Sequence, residues 1–141
     1  MGQHYKNLDE DKTTDHRKKR ILFVNDDPDT TAVMKKGLTH HGFEVEAFVD
    51  SKSALQNFKA CLYDLLLLDV LMKGLDGFEL YNKMRKIDEN IQICFISSNM
   101  FYEKYKKLYP GIEKEWFIQK PITIKKLANI IDSMFENRKQ K

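Results

Sequence analysis

The sequence predicts a doubly wound α/β fold: a five-stranded parallel sheet with helices on both faces. Three observations predict it. The run Leu65-Leu66-Leu67-Leu68 has no polar alternation, as expected of a strand buried on both faces. Other short apolar runs recur along the chain, separated by segments with apolar residues at helical spacing. Several of these runs stop abruptly at polar residues, most sharply at Asp69. Asp69 could simply cap a following helix, but Asp76 is the better-placed cap, so another role is expected for it.

Residues 1–19 are polar, with Leu8 nearly the only large aliphatic side chain, and are expected to form a disordered arm. The basic run His16-Arg17-Lys18-Lys19-Arg20 is expected to be a solvated flank of the first strand, able to touch an acidic partner. Ile21-Leu22-Phe23-Val24 is that strand, and it runs into Asn25-Asp26-Asp27-Pro28-Asp29. Pro28 suits a first helical turn, which Asp27 or Asp29 can cap. The helix is expected over residues 30–40, with Val33, Met34 and Leu38 on one face and Gly42 as its stop. His40 and His41 fall in its last turn and receive no catalytic role.

Residues 43–48 alternate and predict a strand nearer the sheet edge. Asp50 or Ser51 can cap a second helix carrying Ala54, Leu55, Phe58 and Cys61. After the Asp69 strand comes a tight loop with Gly74 and Gly77, then a helix marked by Leu80, Tyr81, Met84 and Ile87. Residues 91–96 are the fourth strand, ending at Ser97-Ser98-Asn99. Residues 100–109 predict a fourth helix, rich in Phe101, Tyr102, Tyr105 and Tyr109 and broken by Pro110-Gly111. Residues 116–118 are a last strand, ending at Gln119-Lys120-Pro121. Thr123 then caps a helix with Ile124, Leu127, Ile130, Ile131 and Met134 on one face, and the chain turns polar from Glu136. Right-handed crossovers put these helices on both faces of the sheet.

A length of 141 residues fits one domain, expected over 20–136 and followed by a polar tail, 137–141. With 24 basic and 21 acidic residues the net charge is +3, too small a field to suggest nucleic acid as a partner. Cys61 and Cys94 both lie in apolar stretches and are expected as reduced core thiols. The four histidines show no metal-ligand spacing. No run is long enough to span a membrane, and the N-terminus lacks a signal-peptide core, so a cytoplasmic setting is expected.

Parallel strands present their carboxyl ends on one edge, where open α/β sheets place their ligands. That edge would collect Asn25, Asp26, Asp27, Asp69, Ser97 and Lys120. Close carboxylates repel unless a cation sits between them, and hard oxygen donors with room for water suit Mg²⁺. A carboxylate beside a metal, a lysine and a hydroxyl is equipped to attack phosphorus.

On these motifs the chain resembles a response-regulator receiver domain of the flavodoxin-like (CheY-like) fold. The resemblance covers about residues 20–135. It rests on residues 21–29, on 64–77, on Phe95-Ile96-Ser97-Ser98 and on Phe117-Ile118-Gln119-Lys120-Pro121. It implies that Asp69 is the phosphoacceptor, taking a phosphoryl group from the phosphohistidine of a sensor histidine kinase or phosphotransfer protein. It implies Mg²⁺ or Mn²⁺ as cofactor, held by Asp26, Asp69 and the Leu71 backbone carbonyl. Ser97 and Lys120 would meet the phosphoryl group, Pro121 would place the lysine, and Phe117 would be the aromatic switch. The downstream protein would dock on the face formed by the fourth helix, fifth strand and fifth helix.

Three departures from the family pattern stand out. Asn25 occupies a usually acidic position, where its carbonyl could hold a metal-bound water without adding charge. A register shifted by one would instead make Asp26 and Asp27 the acidic pair. Lys73 replaces a usual proline, and the segment after Pro110-Gly111 is longer than usual. Leu71 and Asn99 fall at positions that tune the acyl-phosphate lifetime, and an apolar Leu71 predicts a lifetime longer than minutes. The expected function is a stand-alone phosphoacceptor switch, not an enzyme acting on other molecules. The alternatives are a degenerate receiver that binds partners without phosphorylation and a haloacid-dehalogenase-like phosphatase. The phosphatase would want an acid where Leu71 stands. A flavodoxin is disfavoured because the loop from Asn25 to Asp29 is acidic and would repel a phosphate.

Overall fold

The leucine run is strand β3 (Leu65–Asp69), the centre of a five-stranded parallel sheet. The structure, a computed structural model, describes residues 17–98 and 102–140. The other strands are β1 (Arg20–Val24), β2 (Glu44–Phe48), β4 (Gln92–Ser97) and β5 (Phe117–Gln119). Their order is β2-β1-β3-β4-β5, so the chain reverses its direction of travel between β1 and β3. The helices are α1 (Pro28–His41), α2 (Ser51–Asn57), α3 (Gly77–Ile87), α4 (Tyr102–Leu108) and α5 (Ile124–Gln140). A 3₁₀ turn, Lys114–Trp116, leads into β5.

Alternation along the strands splits the core in two. Ile21, Phe23, Leu65, Leu67, Cys94 and Ile96 face Leu38 of α1 and Leu127, Ala128 and Ile131 of α5. Leu22, Val24, Leu66, Leu68, Ile93 and Phe95 face Ala54 of α2 and Phe78, Leu80 and Met84 of α3. All four leucines are fully buried, each stabilising the fold by roughly 1.5–3 kcal/mol relative to exposure.

Side-chain caps fix where the helices begin. Asp27 accepts from Thr30 N–H at 3.0 Å, with Pro28 opening the helix. Asp50, not Ser51, caps α2. Asp76 and Glu79 form a reciprocal capping box on α3. Thr123 Oγ1 accepts from Lys126 N–H at 3.1 Å. Gly42 ends α1 at φ 122°, a conformation that glycine adopts without strain.

Several expectations are corrected. Val33 is 60% exposed, because it lies about 140° from Leu38 around a helix of 3.6 residues per turn. Cys61 is exposed, because α2 ends at Asn57 and leaves this residue in a turn at φ 65°. Cys94 is a core thiol, and burial pushes its pKa up to about 12. Ile87 ends α3 and is half-exposed. Trp116 belongs to the 3₁₀ turn, not to β5. Helix α5 runs through the expected polar tail to Gln140, since residues 136–140 contain no glycine or proline to stop it. Met100 and Phe101, placed in the fourth helix from sequence, lie outside the described residues, as does most of the N-terminal arm.

The end of the basic run is tied down rather than simply solvated. Arg17 grips both carboxylate oxygens of Asp64 at 3.0 Å. Asp64 Oδ2 also accepts from Arg20 N–H at 2.8 Å. Burial alone would raise the Asp64 carboxyl, but the Arg17 guanidinium and the Arg20 amide outweigh it and hold the group below the usual carboxylate range. Lys19 offers its carbonyl to Glu44 N–H at 2.9 Å, continuing the hydrogen bonding between β1 and β2.

Candidate functional site

Strand register assembles the site. Val24 pairs with Leu68, so Asn25 follows β1 beside Asp69 at the end of β3. Asp69 pairs with Ile96, one residue before Ser97, and Ser97 pairs with Gln119, one residue before Lys120. Four strand ends thus bring Asn25, Asp69, Ser97 and Lys120 to one edge, at the point where the strand order reverses.

Asp69 is 8% exposed, Asn25 3% and Ser97 2%. Two donors converge on one carboxylate oxygen: Lys120 Nζ and Asn25 Nδ2 each lie 3.0 Å from Asp69 Oδ2. A buried carboxylate needs such partners. The Lys120 backbone N–H donates to the Ser97 carbonyl at 2.7 Å, and the Lys120-Pro121 peptide is cis.

The loop residues divide by role. Asp26 accepts from Lys73 N–H at 3.2 Å, tying the loop after β1 to the loop after β3. Asp27 spends its carboxylate on the α1 cap, and its hydrogen bonds to Thr30 hold its pKa down. Asp26 is thus turned to the loop after β3, and Asp27 to the start of α1. Asn25 adopts an arrangement different from the expected one. Its Oδ1 accepts from Asp27 N–H at 2.8 Å, and its amide nitrogen faces Asp69. The flipped amide would set oxygen against oxygen at Asp69 and N–H against N–H at Asp27, so the hydrogen bonds fix the orientation.

Leu71 follows the strand and is 52% exposed. Phe117 is partly buried, with ring centroids 5.7 Å from Phe78 and 5.3 Å from Phe95. Tyr81 stands edge-on to Phe95 at 5.7 Å and to Trp116 at 6.0 Å. Asn99 lies outside the described residues.

Gly77 has a site role that reading the sequence missed. A Cβ there would lie 2.5 Å from the Asp69 carbonyl oxygen. Its N–H donates to the Val70 carbonyl at 2.9 Å. Only a glycine lets the start of α3 press on the backbone that carries Asp69. The available signal was a glycine directly after a capping aspartate, where any better helix former would otherwise serve. Thr31 was also missed: its single hydroxyl proton is shared between the Asn25 carbonyl at 2.9 Å and the Asp27 carbonyl at 2.8 Å.

Fold and site together define a doubly wound α/β protein built around one buried aspartate and its lysine. The family of response regulator receiver domains matches residues 21–132, and the chain belongs to that family. It is 28% identical over 120 residues to the transcriptional regulatory protein PrrA of Mycobacterium leprae, covering 84% of this chain and 51% of PrrA. The chain thus spans about half the length of this curated relative. The receiver domain of the hybrid histidine kinase CckA is 34% identical, with a TM-score of 0.64, covering 81% of this chain and 96% of that one. The response regulator TrrA of Thermotoga maritima, in its complex with the histidine kinase ThkA, is 25% identical, with a TM-score of 0.65 and coverage of 82% and 97%. Among the described residues no helix is long and apolar enough to cross a membrane.

Proposed function

We propose that the chain is a phosphoacceptor switch of two-component signalling, modified on Asp69. The observation that carries this reading is the Lys120–Asp69–Asn25 contact at the end of β3. An Asp69 oxygen attacks the phosphorus of a phosphohistidine. The new P–O bond forms as the P–N bond breaks, and the imidazole leaves with the electron pair and takes up a proton. Lys120 moves from the carboxylate to the transferred phosphoryl oxygens, where its charge counts most. The Ser97 hydroxyl donates to the same group, and Phe117 responds to that shift.

The donor set fits a hard divalent cation. Asp26 after β1, Asp69 at the end of β3 and the Leu71 carbonyl beyond it would supply the oxygens, and the Asp26–Lys73 contact joins the two loops. Among the described residues no cluster of three acidic, histidine or cysteine side chains accompanies them, so water would complete the shell. Bound there, Mg²⁺ or Mn²⁺ would neutralise charge developing on the phosphoryl oxygens.

The phosphoryl donor is a sensor histidine kinase or phosphotransfer protein, a reading supported by the ThkA complex of the similar TrrA. The downstream partner is a protein on the face of α4, β5 and α5, in a cytoplasmic setting without nucleic acid or membrane contact. The test is the intact mass after incubation with acetyl phosphate and Mg²⁺. A gain of one phosphoryl group is expected for the wild type and none for Asp69→Ala. No gain with either, where another receiver reacts, would overturn the reading in favour of a degenerate receiver.

A further inference from the structure

Asn25 is among the most buried polar residues of the chain, at 3% exposed, and each polar group of its side chain is engaged in one direction. Its carbonyl oxygen is held by the N–H of Asp27, the capping residue of α1. Its amide nitrogen is thereby aimed at Asp69 Oδ2, 3.0 Å away. Its backbone is pinned as well: the N–H donates to the Phe48 carbonyl at 3.2 Å, and the carbonyl accepts from the Thr31 hydroxyl. A chain of hydrogen bonds therefore runs from the first turn of α1, through the Asn25 amide, to the Asp69 carboxylate.

We propose that Asn25 is the positioning residue of Asp69, whose neutral amide holds the carboxylate in place so that the resting site keeps its geometry without a divalent cation. The charges decide the matter. An aspartate at position 25 would put a carboxylate oxygen about where the amide nitrogen now sits, 3.0 Å from Asp69 Oδ2. Those two oxygens would repel until a cation or proton came between them. The asparagine replaces that repulsion with a hydrogen bond to an ionised acceptor, the stronger kind. It shares Oδ2 with Lys120. The same exchange removes one negative charge from the metal site, leaving Asp26 and Asp69 as its carboxylates. Geometry that does not depend on metal and weakened metal affinity are thus one consequence of one residue. The inference deepens the phosphoacceptor reading and rests on it only for the purpose the positioning serves.

The test compares wild type, Asn25→Asp and Asn25→Ala by thermal melting in chelator and in Mg²⁺, and by calorimetric titration with Mg²⁺ alone. The wild type should gain far less in melting temperature from Mg²⁺ than Asn25→Asp does. Asn25→Asp should melt several degrees lower in chelator, recover in Mg²⁺, and bind Mg²⁺ at least about tenfold more tightly. Asn25→Ala should melt lower in both conditions with no gain in Mg²⁺ affinity. A spectroscopic readout separates positioning from general packing. In the ¹⁵N spectrum of the wild type in chelator, the Asn25 side-chain amide should be protected from exchange. Asp69→Ala should abolish that protection, and Asp64→Ala should leave it. An unprotected amide in the wild type, or an Asn25→Asp variant with wild-type melting and Mg²⁺ affinity, overturns the proposal. None of these measurements uses a phosphodonor, so the phosphoacceptor reading and this one fail separately.

Discussion

Strand β3 is bracketed by two aspartates with cationic partners, and the two ends behave differently. At the amino edge, Asp64 has both oxygens filled: Arg17 takes each at 3.0 Å, and Arg20 N–H adds a third bond. At the carboxyl edge, Asp69 receives two donors, Lys120 and Asn25, on the same oxygen. Saturation makes Asp64 a fastener. Asymmetry makes Asp69 a candidate nucleophile, held in position while its other oxygen takes none of these bonds. Arginine's planar fork suits the first task, and lysine's single mobile charge suits the second.

The largest effect that would sharpen this contrast is at Lys120. Lys120→Ala should slow phosphorylation of Asp69 by roughly 10²–10³-fold, the scale of losing one electrostatic stabiliser, as read from mass-resolved time courses. An Arg17→Ala chain should be modified at the wild-type rate, and a slowed one would break the contrast. Next comes Gly77→Ala. A Cβ 2.5 Å from the Asp69 carbonyl should cost about 1–3 kcal/mol in urea unfolding and should disturb the Asp69 site from its backbone side. Asp64→Ala should cost about 1 kcal/mol, since the Arg17 pair is partly exposed and screened.

The amino edge also has a pH signature. The folded-state pKa of Asp64 lies below its unfolded value, so its contribution to stability is complete above the ordinary carboxylate range, about pH 4. That contribution fades as pH falls through the lowered folded-state value, because the unfolded chain binds the proton first. Acid unfolding followed by circular dichroism should show a shallower slope for Asp64→Ala than for the wild type. The smallest perturbation is thiol labelling of the native chain. Cys61, exposed near the amino edge, should react with a thiol reagent. Cys94, buried with its pKa raised to about 12, should react only after unfolding. Two labels on the native chain would count against the buried position of Cys94.

These two edges were not equally legible in the sequence. Leu65 to Leu68 announced a strand covered on both faces, and the return of polarity at Asp69 marked its functional end. The caps Asp27, Asp50 and Asp76 were readable because capping chemistry is local. The Arg17–Asp64 fastener was not, because its partners are 47 residues apart and meet only once β1 and β3 pair. Cys61 misled because helical spacing runs on past Asn57, while the chain turns at Phe58. Gly77 was visible as a turn glycine, but its contact with the Asp69 backbone exists only in three dimensions. The orientation of the Asn25 amide depended on knowing that Asp27 N–H would need an acceptor.

The chain holds one tryptophan, Trp116, immediately before Phe117 and edge-on to Tyr81. Its emission therefore comes from a single place, one residue from the aromatic ring that packs under Ser97's strand. The indole is linked to that ring through others: Tyr81 stands 6.0 Å from Trp116 and 5.7 Å from Phe95, and Phe95 lies 5.3 Å from Phe117. The protein thus carries its own optical gauge, and modification at Asp69 should be readable as a change in tryptophan emission, with no label attached.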